Sequence, residues 1–249
     1  MYNNYDYLTK TFRCNSKSQT FFPNKSHRYI SFGAYMKYLY YFLYVAWHWS
    51  IDLAIFIVRH EVRGEKKYGI STIGLDNLKD IVPAQDKAHV STYEPVNYYT
   101  SEWLFDQLTD TSTGFLDVGC GRGRVLVIAA AYGFNDLTGI DFSQRLCEQA
   151  RETCTIIDPA KSVNITVADA REYDIPDTIG VIFLFNPFDE TVMTGFIQKV
   201  KESLVRKERP LKVLYANPQC KSLWLDAGFV ETASFVKKTY LKGSILEHS

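Results

Sequence analysis

The chain has 249 residues, 46% of them hydrophobic, enough to bury one large core or a standard domain plus an extension. Lysine plus arginine equal aspartate plus glutamate at 28 each. No global field therefore draws the protein to a polyanion, which argues against nucleic acid as a partner. Five cysteines, at positions 14, 120, 147, 154 and 220, form neither a CxxC pair nor an even set; this fits a reducing, cytoplasmic compartment and suggests no metal site.

Residues 1–30 are polar and aromatic with little period, so they read as loop or terminus. A short apolar core with a small-residue cleavage site is missing there, so no signal peptide is expected. From Ala34 to Arg63 neither glycine nor proline interrupts an unusually aromatic run, which predicts one long helix. Leu39 to Val58 has about the length of a membrane span. Against a span, Lys37, Tyr41, Tyr44, His48, Asp52 and Arg59 form a polar seam, and charge near the middle is costly in lipid. Three placements stay open: packing on its own domain or in a homodimer, lying peripherally on a membrane, or spanning it. The charged link Gly64 to Gly69 is expected to end the helix. Ile70 to Val90 alternates apolar pieces with turn residues, and Ser101 to Leu108 reads as a helix with its cap and an acid at the start.

From Gly114 onward strands and helices alternate, which demands a mostly parallel sheet with helices on both faces. Phe115 begins a short apolar strand that runs into Gly119-Cys-Gly-Arg-Gly123, and a helix from Arg124 to Ala131 follows. Leu137 to Asp141 is the second strand, and Ser143 to Thr153 a helix with Leu146, Cys147, Ala150 and Cys154 on its apolar side. Asn164 to Ala168 is the third strand, and Val181 to Phe185 a strand buried on both faces. Asp189 caps a helix in which Val192, Phe196, Val200 and Leu204 repeat every fourth residue. Pro210 to Tyr215, a short helix ending at Ala227, and strands Phe229 to Phe235 and Lys238 to Leu241 complete the chain. The last pair is expected to add one antiparallel strand.

Glycines at alternate positions let a ligand approach the main chain, and the following helix points free N–H groups at it. The dinucleotide fingerprint wants G-x-G-x-x-G; here the spacing is G-x-G-x-G with Asp117 already beside the loop. An acid there suits a ligand with a positive amino group and no phosphate.

Asp117-Val-Gly-Cys-Gly-Arg-Gly123, Gly139-Ile-Asp141-Phe-Ser, Val167-Ala-Asp169-Ala170 and Phe185-Asn-Pro-Phe188 resemble, in order, the motifs of class I methyltransferases that use S-adenosyl-L-methionine (SAM). The likeness runs from about Tyr93 to Tyr240, and within the superfamily it is nearest the DOT1-like branch and its bacterial relatives. The resemblance implies an α/β Rossmann-like domain over 93–249 and an N-terminal aromatic helix with linker over 1–92. It further implies that Asp117, Gly119, Cys120 and Gly121 hold the methionine part of SAM and Asp141 the ribose hydroxyls. Phe142 then packs on the adenine, with Asp169 and Ala170 at its amino group. Tyr93 to Tyr99, around Tyr93-Glu-Pro95, is either a lid over the site or a buried aromatic connector.

Asn186, Pro187 and Phe188 bear on the reaction. An amine acceptor must aim a free lone pair at the methyl, and an Asn side-chain oxygen with the next carbonyl can accept its hydrogens. The resemblance implies that Asn186 also borders the cofactor. The triplet resembles the Asn-Pro-Pro-Tyr/Phe loop of amino-methylating enzymes, one proline short, and the Asn-x-Phe element of the DOT1-like branch. The expectation is methyl transfer to nitrogen, with a protein lysine leading. A small-molecule or lipid methyltransferase at a membrane surface, and a SAM-binding module without turnover, remain alternatives.

Overall fold

The computed structural model describes residues 32–74, 94–185 and 188–248, with side chains of the first helix from Met36 onward. Helices α1 (Phe32–His48), α2 (Ile51–Tyr68) and α3 (Tyr98–Asp106) come first. The alternating part follows: β1 (Gly114–Val118), α4 (Arg124–Ala131), β2 (Asp136–Asp141), α5 (Gln144–Cys154), β3 (Ser162–Val167), β4 (Ile179–Phe185) and α6 (Glu190–Arg206). It ends with β5 (Leu211–Ala216), α7 (Lys221–Asp226), β6 (Val230–Lys237) and β7 (Leu241–His248). Among the described residues the strands make one sheet, ordered β3-β2-β1-β4-β5-β7-β6. β1 to β5 are mutually parallel, and β7 runs antiparallel to both β5 and β6. This is the mostly parallel Rossmann-like sheet that was expected, with one strand near the C-terminus reversed.

Successive strand residues point to opposite faces, and the core divides accordingly. Phe115, Phe183 and Leu214 join Leu126 and Phe134 on one side of the sheet. Leu116, Ile182 and Val213 join Phe196 and Trp224 on the other. The capping residues act as their positions predict: Ser143 Oγ accepts from Leu146 N–H and Asp189 Oδ1 from Val192 N–H. The apolar stripes expected of α5 and α6 are both buried.

The N-terminal part departs most from expectation. The single helix over 34–63 is two. Ser50 is extended (φ −164°, ψ 155°) and its hydroxyl accepts from Leu53 N–H, so it caps a new helix. The chain doubles back, and Tyr41 and Val45 pack with Leu53, Ala54 and Ile57 over Ile73 and Leu241. The polar seam is thereby split: His48 bonds Tyr44 O, whereas Asp52 pairs with Lys238 at 2.6 Å. Among the described residues no helix is long and apolar enough to cross a membrane.

Gly64 does not end the helix. α2 continues to Tyr68 and stops at Gly69, whose φ of 71° makes a left-handed C-cap. Gly64 is a packing position: a Cβ there would lie 2.2–2.6 Å from three ring atoms of Tyr98.

α3 begins at Tyr98, earlier than Ser101, because Asn97 Oδ1 accepts from Thr100 N–H. Glu102 is therefore not a first-turn acid; it is buried and takes Arg63, Lys67 and Tyr68. At the other end 238–241 is not the last strand. Lys238 and Thr239 have positive φ and form the turn into β7. The loop expected over 1–30, most of the 70–90 stretch, Tyr93 and the 92/93 boundary lie outside the described residues.

Candidate functional site

β1 to β5 end on one edge of the sheet, and the strand order reverses between β1 and β4. In open α/β sheets that is where ligands bind. The 119–123 loop leaves β1 at this point, and Gly119, Gly121 and Gly123 have φ of 74°, 53° and 81°, values that side chains rarely adopt. Gly119 N–H and Cys120 N–H both donate to Ile140 O at 2.9 Å. Gly121 N–H donates to Asp141 Oδ2 at 3.0 Å. The loop is stitched to the end of β2.

Asp141 is buried, and its other oxygen accepts from Ser143 N–H at 2.9 Å. Burial raises its pKa to about 6, against the opposing pull of those two N–H groups. Asp117 sits opposite Gly139 in the register. Its Oδ2 is buried with no hydrogen-bond partner. Burial first, and then the Asp141 charge, push this carboxyl well above the usual range. A buried acid left unpaired is costly, and a cationic ligand at the loop would relieve that cost.

Ala168 N–H donates to Asp141 O at 3.0 Å, which brings the end of β3 alongside. Just beyond it, Asp169 is already engaged: Arg171 Nε donates to both oxygens at 3.0 Å and holds the acid below its ordinary pKa. Ala170 is buried in the core, and Phe142 is 40% exposed beside Asp141. Phe188 is half-buried and packs toward Phe196. Cys120 is buried and kept protonated by its hydrogen bond to Cys147 and by desolvation. The structure thus gathers Asp117, Gly119 to Gly121, Asp141 and Phe142 on one edge, with Asp169 and Ala170 next to them. Asn186 and Pro187 lie outside the described residues.

Arg124, the first residue of α4, was not singled out by sequence. It is 3% exposed. Its Nη1 donates to Glu61 Oε1 (2.8 Å) and Val96 O (2.7 Å), and its Nε to Thr72 Oγ1 (2.7 Å). Its guanidinium carbon lies 4.2 Å from the centre of the Tyr98 ring. Arg122 in the loop donates to Ile73 O at 3.3 Å. These contacts tie the N-terminal helices to the first turn after the ligand loop. An arginine in the glycine-rich loop and another just after it were visible in the sequence; their partners, 28 to 63 positions away, follow no spacing rule.

Residues 115–207 match the family model described as "Methyltransferase domain". Over this segment the chain is similar to a methyltransferase domain. The segment runs from β1 through α6 and contains every candidate cofactor residue named above. A curated relative, EEF1A lysine methyltransferase 2 of zebrafish (Danio rerio), is 32% identical over 108 residues. That alignment covers 43% of this chain and 45% of the relative, so the chain spans about half of that protein's length. Among solved structures, the PH0226 protein of Pyrococcus horikoshii OT3 aligns with a TM-score of 0.47 at 17% identity, covering 61% of this chain and 89% of that one. A SAM-dependent methyltransferase from Mesorhizobium loti aligns with a TM-score of 0.48 at 11% identity, covering 59% and 98%.

The residues present fit SAM. The unpartnered Asp117 oxygen suits a positive group, and the loop's backbone admits close approach with no side chain in the way.

Proposed function

We propose that the whole chain transfers a methyl group from SAM to a nitrogen, with the side-chain amine of a protein lysine as acceptor. The observation that carries this reading is the buried Asp117–Asp141 pair beneath the three-glycine loop. Such a site answers to a cationic ligand with a diol rather than to a pyrophosphate. The partial match to a protein named as a lysine methyltransferase supports the acceptor class, as does the Asn186-Pro187-Phe188 sequence at the end of β4. That triplet and Tyr93-Glu-Pro95 also support a place near the DOT1-like branch. We take 93–249 as the catalytic unit, 1–92 as its extension, and the cytoplasm as its compartment.

Bound SAM supplies a methyl carried on a sulfonium. The chain's own residues do the rest. Asp117 and the loop would receive the methionine part, Asp141 would accept from the ribose hydroxyls, and Phe142 would pack on the base. Asp169 would reach the adenine amino group by sharing its oxygens with Arg171. The Asn186 side chain and the Pro187 carbonyl would accept the hydrogens of the incoming neutral amine, whose lone pair would form the new N–C bond as the methyl–sulfur bond breaks, the bonding pair staying on the thioether sulfur and the surplus amine proton passing to solvent. Phe188 packs against the acceptor. In-line displacement asks mainly for this alignment and for exclusion of water.

The test is a lysate screen with methyl-labelled SAM, followed by acid hydrolysis of the labelled product. Methyl-lysine is expected. Asn186→Ala should then cut turnover on the order of a hundredfold, about 2.7 kcal/mol of barrier, with SAM affinity within a few-fold. Label found only in lipid or small molecules would refute the lysine reading. Equal loss of binding and turnover would move Asn186 into the cofactor shell.

A further inference from the structure

The α1–α2 hairpin keeps one apolar face inside and turns another outward. Along α1, Met36, Leu39, Tyr40, Leu43 and Trp47 recur at helical spacing and are all exposed, Trp47 by 88%. Across the turn Ile51 and Ile55 are exposed by 64% and 58%. Scattered apolar side chains on a surface mean little, but a contiguous helical stripe ending in a bare tryptophan marks a contact surface. Nearby charge narrows the partner. The hairpin carries Lys37, Arg59, Arg63, Lys66 and Lys67 against Asp52, Glu61 and Glu65. Its acids are bonded within the fold, Asp52 to Lys238, Glu61 to Arg124 and Glu65 to Lys37, while Arg63 and Lys67 share Glu102; among the described residues Arg59 and Lys66 enter no ion pair. Beside Ile55 a cleft of about 320 Å³ opens, rimmed by Arg59, His60, Arg63 and Lys238 over the Phe56 side chain. Asp52, already paired with Lys238, is the one acid lining it.

We propose that this hairpin docks on an anionic lipid bilayer. Its apolar tip around Leu43, Trp47 and Ile51 enters the headgroup region, and the cleft of Arg59, Arg63 and Lys238 takes lipid phosphate. Aromatic residues at such a boundary and cations at headgroup level are the arrangement of interfacial helices, which lie on a membrane without crossing it. The inference stands on the hairpin alone and does not depend on the methyl acceptor. A bilayer fits better than a second copy of the chain, because an identical hairpin would set the same surplus of positive charge, five cations against three acids, against itself.

Flotation of the full chain with vesicles of phosphatidylcholine, alone or mixed with phosphatidylglycerol, tests it. The protein should float with the mixed vesicles, bind neutral ones poorly, and be released by salt. Arg59→Ala should weaken binding about fivefold, and Trp47→Ala on the order of tenfold. Trp47 is nearly bare, so an unchanged melting temperature separates lost docking from lost folding. Failure to float on anionic vesicles overturns the proposal, as does binding indifferent to both substitutions. A wild-type dimer that Trp47→Asp converts to monomer would give the surface to a second copy and overturn it equally.

Discussion

Gly64→Ala is a substitution for which helix propensity and packing give opposite signs. In an ordinary helix interior it should stabilise by up to about 1 kcal/mol, because alanine loses less backbone freedom than glycine. Here the added methyl would sit 2.2 Å from the nearest ring carbon of Tyr98. Carbon atoms settle at about 3.5 Å, so the ring must retreat by roughly 1.3 Å. It has little room: Tyr98 is 1% exposed, stacks on Tyr68 with centroids 5.6 Å apart, and carries the Arg124 guanidinium on its face. Overpacking of this kind costs about 1–3 kcal/mol, and a ring packed against both Tyr68 and Arg124 belongs at the upper end. The net expectation is a loss of about 2 kcal/mol, or roughly 4–8 °C in Tm for a chain of this size. Urea denaturation with a fixed m-value, alongside thermal melts, measures it. Combined with Tyr98→Leu, the loss should be less than additive, since the smaller side chain removes the clash. A Gly64→Ala protein more stable than wild type would refute the packing account.

Glu61→Ala should cost about 3–5 kcal/mol in the same denaturation assay, because it leaves the Arg124 charge buried without its carboxylate; a change under 1 kcal/mol would show that the pair is not closed in solution. SAM at a hundred times its Kd should stabilise the protein by about 2.7 kcal/mol, and Asp141→Ala should erase most of that shift; stabilisation by NADH but not by SAM would overturn the cofactor assignment. Asp141 is ionised only above its raised pKa of about 6, so SAM affinity should be full above that pH and fall below it, by at most tenfold per pH unit for one proton. Calorimetric titration between pH 5 and 7.5 reads this directly, and a flat profile would refute it.

The sheet was legible because its signals are local. Val181 to Phe185 is apolar throughout, Asp189 caps its own helix, and Ser143 stands before a run with helical spacing. The place of the glycine loop at the end of β1 was legible for the same reason: its glycines and Asp117 are neighbours in sequence. The break at Ser50 was hidden, since a lone serine with neither glycine nor proline beside it is also tolerated inside helices. Gly64 misled in the other direction. It was read as a breaker, whereas its missing side chain makes room for Tyr98, which lies 34 residues further on. The Asp169–Arg171 pair and the Arg124 anchor depend on where side chains meet in three dimensions, and no periodicity encodes that.

The hairpin's attachments also set an order of events during synthesis. Its buried ion pair with Arg124 waits for a residue 63 positions beyond Glu61, and the Asp52–Lys238 pair closes across 186 positions. At a translation rate of about 5–20 residues per second, the interval between Asp52 and Lys238 leaving the ribosome is roughly 10–40 s. For that time Tyr41, Val45, Leu53 and Ile57 have one another but not Leu241, the sheet residue they finally cover. The nascent chain thus carries its most aromatic segment ahead of the surface that will shelter it. Its demand for chaperones should be greatest in that interval, before β7 is complete.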